Sequence, residues 1–300
     1  MTAYPRNARP THSVLIPVFN TCESMLADCF SSLFDQGPDL ARTEVVVVDD
    51  GSDRATKLVL EHLLSQALLP KVRLLTLPKH RGLAQARNAG VDRSTGEWIL
   101  LLDSDDVMRP GALAAFGSAY RDSADLVFSD HVKVTSDRNA IVHERRKSRY
   151  QRLHCKFKGT AADPLLHADY VVHCQAFRRS ALVSIGGFRE DLGIGEEVDA
   201  QLKVEELRAA VNFVHIPTVL YEYRDYPASM SHGPGYYNRL VHSVEEALRA
   251  ATRRRGLDLG EPRRWGRAVN TNAPHYAWYT GGGSRVEVPW FDSYRMLVLA

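Results

Sequence analysis

The chain has 300 residues, 44% hydrophobic and 25% charged, with a formal net charge of +2. That composition argues against a disordered polymer, and so small a net charge does not imply nucleic acid as an obligatory partner. Length alone allows one large domain or two modest ones.

From Ser13 to about Asp106, short apolar runs alternate with amphipathic stretches. This is the pattern of βαβ units around a mostly parallel sheet. Strands are predicted at Ser13–Val18 (SVLIPV), Thr43–Val48 (TEVVVV), Val72–Leu75 and Glu97–Leu102 (EWILLL), whose near-continuous apolar runs suit burial on both faces. Helices are predicted between them near Cys22–Phe34, Ala55–Leu68 and Leu83–Ser94, the last stopped by Thr95-Gly96. Beyond Asp106 a helix is expected from Pro110 to about Tyr120, a strand at Leu126–Ser129, and a strand then a helix at Asp169–Phe177 and Ser180–Ile185. A glycine-broken loop, GGFREDLGIG, precedes a helix from about Glu196 to Leu207. Two strands (Asn212–Val214, Thr218–Tyr223) and a long helix (Tyr236–Arg255) follow, while Arg138–Thr160 and Gly256–Ala300 show no readable period.

In an open parallel sheet, ligands bind beyond the carboxyl ends of the strands. The segments after the four N-terminal strands are Pro17-Val18-Phe19-Asn20, Asp49-Asp50-Gly51-Ser52, Lys79-His80-Arg81-Gly82 and Asp103-Ser104-Asp105-Asp106. Turns alone need no such concentration of carboxylates and cations. Crowded carboxylates repel one another unless a cation neutralises them, and oxygen ligands of this kind suit Mg2+ or Mn2+ bridging to phosphates. A short D-x-D triplet by itself can also be a solvated turn. A sugar nucleotidyltransferase would need a glycine-rich, basic loop after the first strand, which PVFNTCES lacks.

SVLIPVFN, VVVVDDGS, HRGLAQARNAG and GEWILLLDSDD, in this order and spacing, resemble the inverting glycosyltransferases of family 2, which have the GT-A fold. The resemblance is dense over Ser13–Pro110 and thinner to about Ser231. It implies an α/β GT-A domain over 1–231, with a nucleotide-sugar-binding half at 13–110 and an acceptor half at 111–231, then a helical or irregular extension at 232–300. It further implies a metal-dependent transferase using a nucleotide diphosphate sugar, UDP-linked first, with dTDP and GDP donors left open. Pro17, Val18 and Phe19 would line base and ribose, Asp50 would read the base, and Asp49 would serve its own loop. Arg81 would approach the diphosphate, while Arg87 would be a surface or salt-bridge residue or a second phosphate contact. Asp103, with Ser104 in the donor site, would contact ribose and metal, Asp105 would be the principal metal ligand, and Asp106 would cap the next turn.

Inverting transfer needs a base opposite the leaving group. The family's acidic pair after a glycine-phenylalanine loop corresponds here to Glu196-Glu197, with Glu197 at the position of the base and Asp199 or Glu196 as alternatives. The longer Glu197 side chain departs from the usual aspartate by about 1.5 Å. Acidic residues in a first helical turn also suit the helix dipole without any catalytic role. Tyr226 stands where the family often has histidine, with His232 nearby as a substitute. An alternative reading is a silent relative that binds nucleotide sugar or glycan.

No apolar run approaches the roughly 20 residues of a membrane-spanning helix, and MTAYPRNARPTH lacks a secretory signal pattern. Cys22, Cys29, Cys155 and Cys174 form no paired framework, so free thiols in a cytoplasmic protein are expected. His154-Cys155 and His173-Cys174 are read as packing residues in preference to a zinc site. The basic runs around Arg145–Arg152 and Arg253–Arg264 are read as solvated surface. The acceptor (glycan, lipid-linked, small molecule or protein) and any oligomeric state are left open.

Overall fold

The computed structural model describes residues 11–66, 71–145, 148–158, 163, 171–257, 263–267, 274–279 and 285–289. The four predicted N-terminal strands form as β1 (His12–Val18), β2 (Thr43–Asp49), β3 (Val72–Thr76) and β4 (Trp98–Leu101). All are parallel, in the order β3-β2-β1-β4. Successive residues of a strand face opposite sides, and the core divides accordingly. Leu15, Val46, Val48, Ile99 and Leu101 pack on one face against α3 (Leu83–Arg93), α6 (Arg179–Ser184), α7 (Glu196–Glu206) and α8 (Tyr236–Arg254). Val14, Ile16, Val45, Val47 and Leu100 pack on the other against α1 (Glu23–Phe34), α2 (Arg54–Gln66) and α4 (Ala112–Ala119).

β1 has β2 on one side and β4 on the other. Chain order therefore reverses at β1, and the crevice of a doubly wound sheet opens there. Beyond β4 the sheet is mixed. It runs through β8 (Gln175–Arg178), β6 (Leu126–Thr135) and β9 (Phe213–Asp225) to β5 (Val107–Met108), with β7 (Ile141–Arg145) on β6. Only β6 and β9 are parallel among these pairings. The fold class expected from the sequence is the one observed.

Several local expectations change. Asn212–Val214 and Thr218–Tyr223 join as the single strand β9, because Pro217, which lacks an N–H, is absorbed in a register shift opposite Ser129 and Asp130. Gly96 is not a helix stop: α3 ends at Arg93, and a Cβ on Gly96 would lie 2.6 Å from Ser13 N, so close backbone approach selects glycine. Pro110 precedes α4, whose N-cap is the left-handed Gly111. The unreadable 138–160 stretch contains β7 and α5 (Ser148–Phe157). Strand β8 begins only at Gln175; the first residues of the strand expected over Asp169–Phe177 lie outside the described residues. α8, assigned from sequence to the extension, contributes Leu240, Val244, Ala247, Leu248 and Ala251 to the main core. In the tail, β10 (Arg263–Arg267), β11 (Pro274–Tyr279) and β12 (Arg285–Pro289) form a separate antiparallel sheet. Among the described residues, no helix is long and apolar enough to cross a membrane. Cys22, Cys29, Cys155 and Cys174 form no disulfide.

His12, at the start of β1, is buried with Nδ1 2.8 Å from the Tyr120 hydroxyl. Burial, with Arg42 adding to it, pushes its pKa from 6.5 down to about 4. The folded state thus holds His12 neutral, and the stability present above pH 6.5 is lost as pH falls toward 4. Urea unfolding across that range should show a shallower loss in His12→Gln, the difference from wild type approaching about 3 kcal/mol at the acid end.

Candidate active site at the carboxyl ends of the strands

The segments after β1, β2, β3 and β4 meet at one rim. Pro17 and Val18 are buried within β1, so their side chains line no open surface; Phe19 is the first residue exposed, at 43%. One face of its ring stacks on His80, with centroids 3.7 Å apart.

Both aspartates after β2 accept hydrogen bonds from loop backbone. Asp50 is buried and holds the β3–α3 loop: Arg81 N and Gly82 N donate to its two oxygens at 2.8 Å, and His80 Nδ1 lies 2.8 Å from Oδ2. Asp49 Oδ1 accepts from Ser52 N, whereas its buried Oδ2 has no hydrogen-bond partner among the described residues. Gly51, at φ 72°, makes this turn possible, since a Cβ there would lie 2.4 Å from the Lys79 backbone. The Arg81 side chain is exposed on the rim.

After β4, Ser104 Oγ pairs with Thr21 Oγ1 at 2.7 Å. Asp105 Oδ2 accepts from the Tyr226 hydroxyl at 2.8 Å, so the tyrosine in the histidine position binds the acidic turn directly. Asp106 does not cap a turn. It is buried and pins β9, accepting from Arg224 N at 2.7 Å and the Tyr221 hydroxyl at 2.8 Å. Burial, then the charge of Asp103, raises the pKa of Asp105; burial, then Asp105 and Asp103, raises that of Asp106 further. This crowding favours an added cation.

Arg87 is the salt-bridge residue that one of the sequence alternatives named, but it lies inside the fold. It is 1% exposed, so it is not a surface residue. Nη2 donates to Asp103 Oδ1 at 2.9 Å, Nη1 donates to Glu196 Oε1 at 2.7 Å, and Nη1 also pairs with Glu197 Oε1. Burial alone would depress the guanidinium, but Glu197, Asp103 and Glu196 more than offset it and hold the pKa above its ordinary value. One cation thus joins the DSDD turn to the first turn of α7, whose N-cap is the left-handed Gly195. Glu196 is itself fully enclosed, and burial pushes its pKa up to about 7 despite Arg87. Asp199 stands apart, buried against Lys203 Nζ at 2.7 Å and Arg189.

His173, read from sequence as a packing residue, lies beside the acidic turn. It stacks on Tyr223, with centroids 4.3 Å apart, and its Nδ1 is 4.0 Å from Asp103 Oδ2. Ligand atoms of Asp103, Asp106 and His173 lie within 4.8 Å of one another, a donor set suited to a divalent cation. His173 and Cys174 both adopt left-handed backbone (φ 49° and 40°). His232 lies instead with Ser229 and Asp225. His154 groups with Asp163 and Glu205, but Lys158 and Arg255 already supply positive charge there. Neither grouping contains a cysteine.

The sequence model of the family described as glycosyl transferase family 2 matches residues 13–186, more than half of the chain, and the chain belongs to that family. It is 29% identical over 231 residues to the O-antigen biosynthesis protein RfbC of Myxococcus xanthus, covering 76% of this chain and 17% of that protein. It is 27% identical over 215 residues to chondroitin synthase of Escherichia coli, covering 71% of this chain and 28% of that protein. The chain therefore spans less than a third of these relatives. Among solved structures, S. aureus TarS 1-349 in complex with UDP aligns with a TM-score of 0.57 at 18% identity, covering 79% of this chain and 65% of that one. The mannosyltransferase PcManGT from Pyrobaculum calidifontis, in complex with GDP-Man and Mn2+, aligns with a TM-score of 0.57 at 19% identity, covering 83% and 74%. These likenesses establish the GT-A fold.

Removing Arg87 leaves buried carboxylates without their counter-charge. Arg87→Leu should lower stability at neutral pH by about 3–5 kcal/mol. Adding Glu196→Gln should recover part of the loss, which a double-mutant cycle by urea unfolding would measure.

Proposed function

We propose that this chain is an inverting glycosyltransferase that moves a sugar from a nucleotide diphosphate, UDP-linked first among candidates, to an acceptor hydroxyl, with Glu197 as general base. The observation that carries the reading is the Arg87 guanidinium, which ties Asp103 on the donor rim to Glu197 on the acceptor side. On this reading residues 13–110 form the donor half and 111–231 the acceptor half.

Phe19, backed by His80, offers its other face to a base. Asp50 acts indirectly, by fixing the loop that carries Arg81 toward the diphosphate. Asp103, Asp106 and His173 would hold Mn2+ or Mg2+, with Asp105 beside them; the fit rests on their mixed oxygen and imidazole donors and on the crowded negative charge. When bound, such an ion neutralises charge growing on the departing diphosphate. Glu197, 21% exposed where Glu196 is almost wholly enclosed, is the member of the acidic pair able to take a proton from an incoming hydroxyl. The relatives carry names of polysaccharide synthesis, and the solved neighbours hold UDP in one case and GDP-Man with Mn2+ in another. UDP and GDP donors are therefore the pair to compare first.

Calorimetry should show UDP binding that collapses on chelation of divalent ions, and Asp103→Asn or Asp105→Ala should weaken that binding sharply. Glu197→Gln should keep UDP affinity while transfer falls by roughly 10²–10⁴-fold. Full turnover in Glu197→Gln would remove Glu197 from the role of base, and absence of any donor hydrolysis or transfer by the wild type would favour a silent binding protein.

A further inference from the structure

Gln175 opens β8 and is completely buried, yet it carries no role in the family motifs found in the sequence. Its Nε2 donates to Glu197 Oε2 at 2.7 Å. Its Oε1 accepts from Gln201 Nε2 at 2.9 Å, and Gln201, also buried, donates from the same nitrogen to Val171 O at 2.7 Å. The two amides fix each other's orientation. Were Gln175 reversed, its carbonyl oxygen would face a carboxylate oxygen and its NH2 would face the Gln201 NH2, losing both hydrogen bonds.

The arrangement answers a question raised by the sequence. Glu197 has one more rotatable bond than the aspartate usual at its position, and a loose carboxylate is a poorly placed base. Here both oxygens are held, Oε1 by Arg87 and Oε2 by Gln175. The Arg87 contact is shared with Asp103 and Glu196, whereas the Gln175 amide serves Glu197 alone among the carboxylates. Gln175 is neutral, so it orients the group without adding another charge to the cluster.

We propose that Gln175, held by Gln201, is a positioning residue that fixes the Glu197 carboxylate toward the acceptor. The proposal rests on Glu197 being the base. A donor hydrogen bond to a carboxylate favours its charged form, so removing the donor raises the pKa. Among the described residues, the charged and titratable groups around Glu197 include Arg87 from α3, Glu196 on its own helix and, across Arg87, Asp103 after β4 with His173 beyond it. Gln175→Leu and Gln201→Leu leave all of these in place.

The direct test is a 13C titration of glutamate-labelled protein, with the Glu197 carboxyl signal assigned by its loss in Glu197→Gln. In Gln175→Leu its midpoint should rise by about half a pH unit or more. Gln201→Leu should move it the same way by less. The kinetic arm uses the UDP-sugar giving the largest Mn2+-dependent thermal shift, followed as release of UDP. There kcat should fall by about tenfold or more, with the acidic limb of its pH profile displaced upward and KM for the donor changed less than about twofold. If Gln175→Leu does not fold, Gln175→Asn, whose shorter amide does not span the gap to Glu197, should give the same displacement. An unmoved midpoint, or a donor KM that rises in step with the loss of kcat, would overturn the proposal. Full activity in Glu197→Gln would instead overturn the base assignment, whatever the Gln175 variants do.

Discussion

The site depends on a single buried cation. Arg87 lies between Asp103 and the Glu196–Glu197 pair, which come from parts of the chain about a hundred residues apart in sequence. A guanidinium can serve this role because its planar fork offers several donors in fixed directions, and because it stays charged even when buried. Leaving any of these groups alone in the interior would carry a heavy desolvation cost. The ion pairs therefore couple the docking of α7 onto the rim of β4 to assembly of the site. Glu196, deepest in the cluster, relieves some excess negative charge through its raised pKa, while Glu197 stays partly open to solvent.

A second tie crosses the sheet. Asp106 binds the backbone N–H of Arg224 and the hydroxyl of Tyr221, and Arg224 extends to Asp105 O, Ser136 O and Asp28. Strand β9 is thereby locked to the acidic turn, and Tyr223 on that strand supports His173 beside Asp103. The DSDD segment thus has two functions that its sequence does not separate. Asp106 ties β9 to the turn while standing in the candidate cation cluster, and Asp103 beside it is 27% exposed. Substitution of Tyr226 for the family's histidine fits the same economy, since its hydroxyl satisfies Asp105 while an imidazole reaches the cluster from His173.

Sequence reading went furthest where information is local. Runs such as SVLIPV and TEVVVV are buried on both faces because each is long enough and apolar enough to be nothing but an interior strand. It failed where a residue's fate is set by what arrives from elsewhere. Gly96 looks like a helix stop until Ser13 is seen against it, and Pro217 looks like a strand break until the register shift with β6 absorbs it. Asp49 and Asp50 are neighbours of one type, and only the approach of the His80–Gly82 backbone decides which of them holds the β3–α3 loop.

By itself, then, the sequence determined the parallel N-terminal strands, the rim at their carboxyl ends and the membership of a transferase family. Hydrophobic period and turn chemistry are written in adjacent residues. Only the tertiary structure decided that Arg87 is a buried junction, that His173 belongs to the acidic cluster, and that Gln175 and Gln201 brace Glu197. Each of those contacts joins side chains far apart in the chain, and their closeness follows from the packing of whole strands and helices, which no short window of sequence encodes.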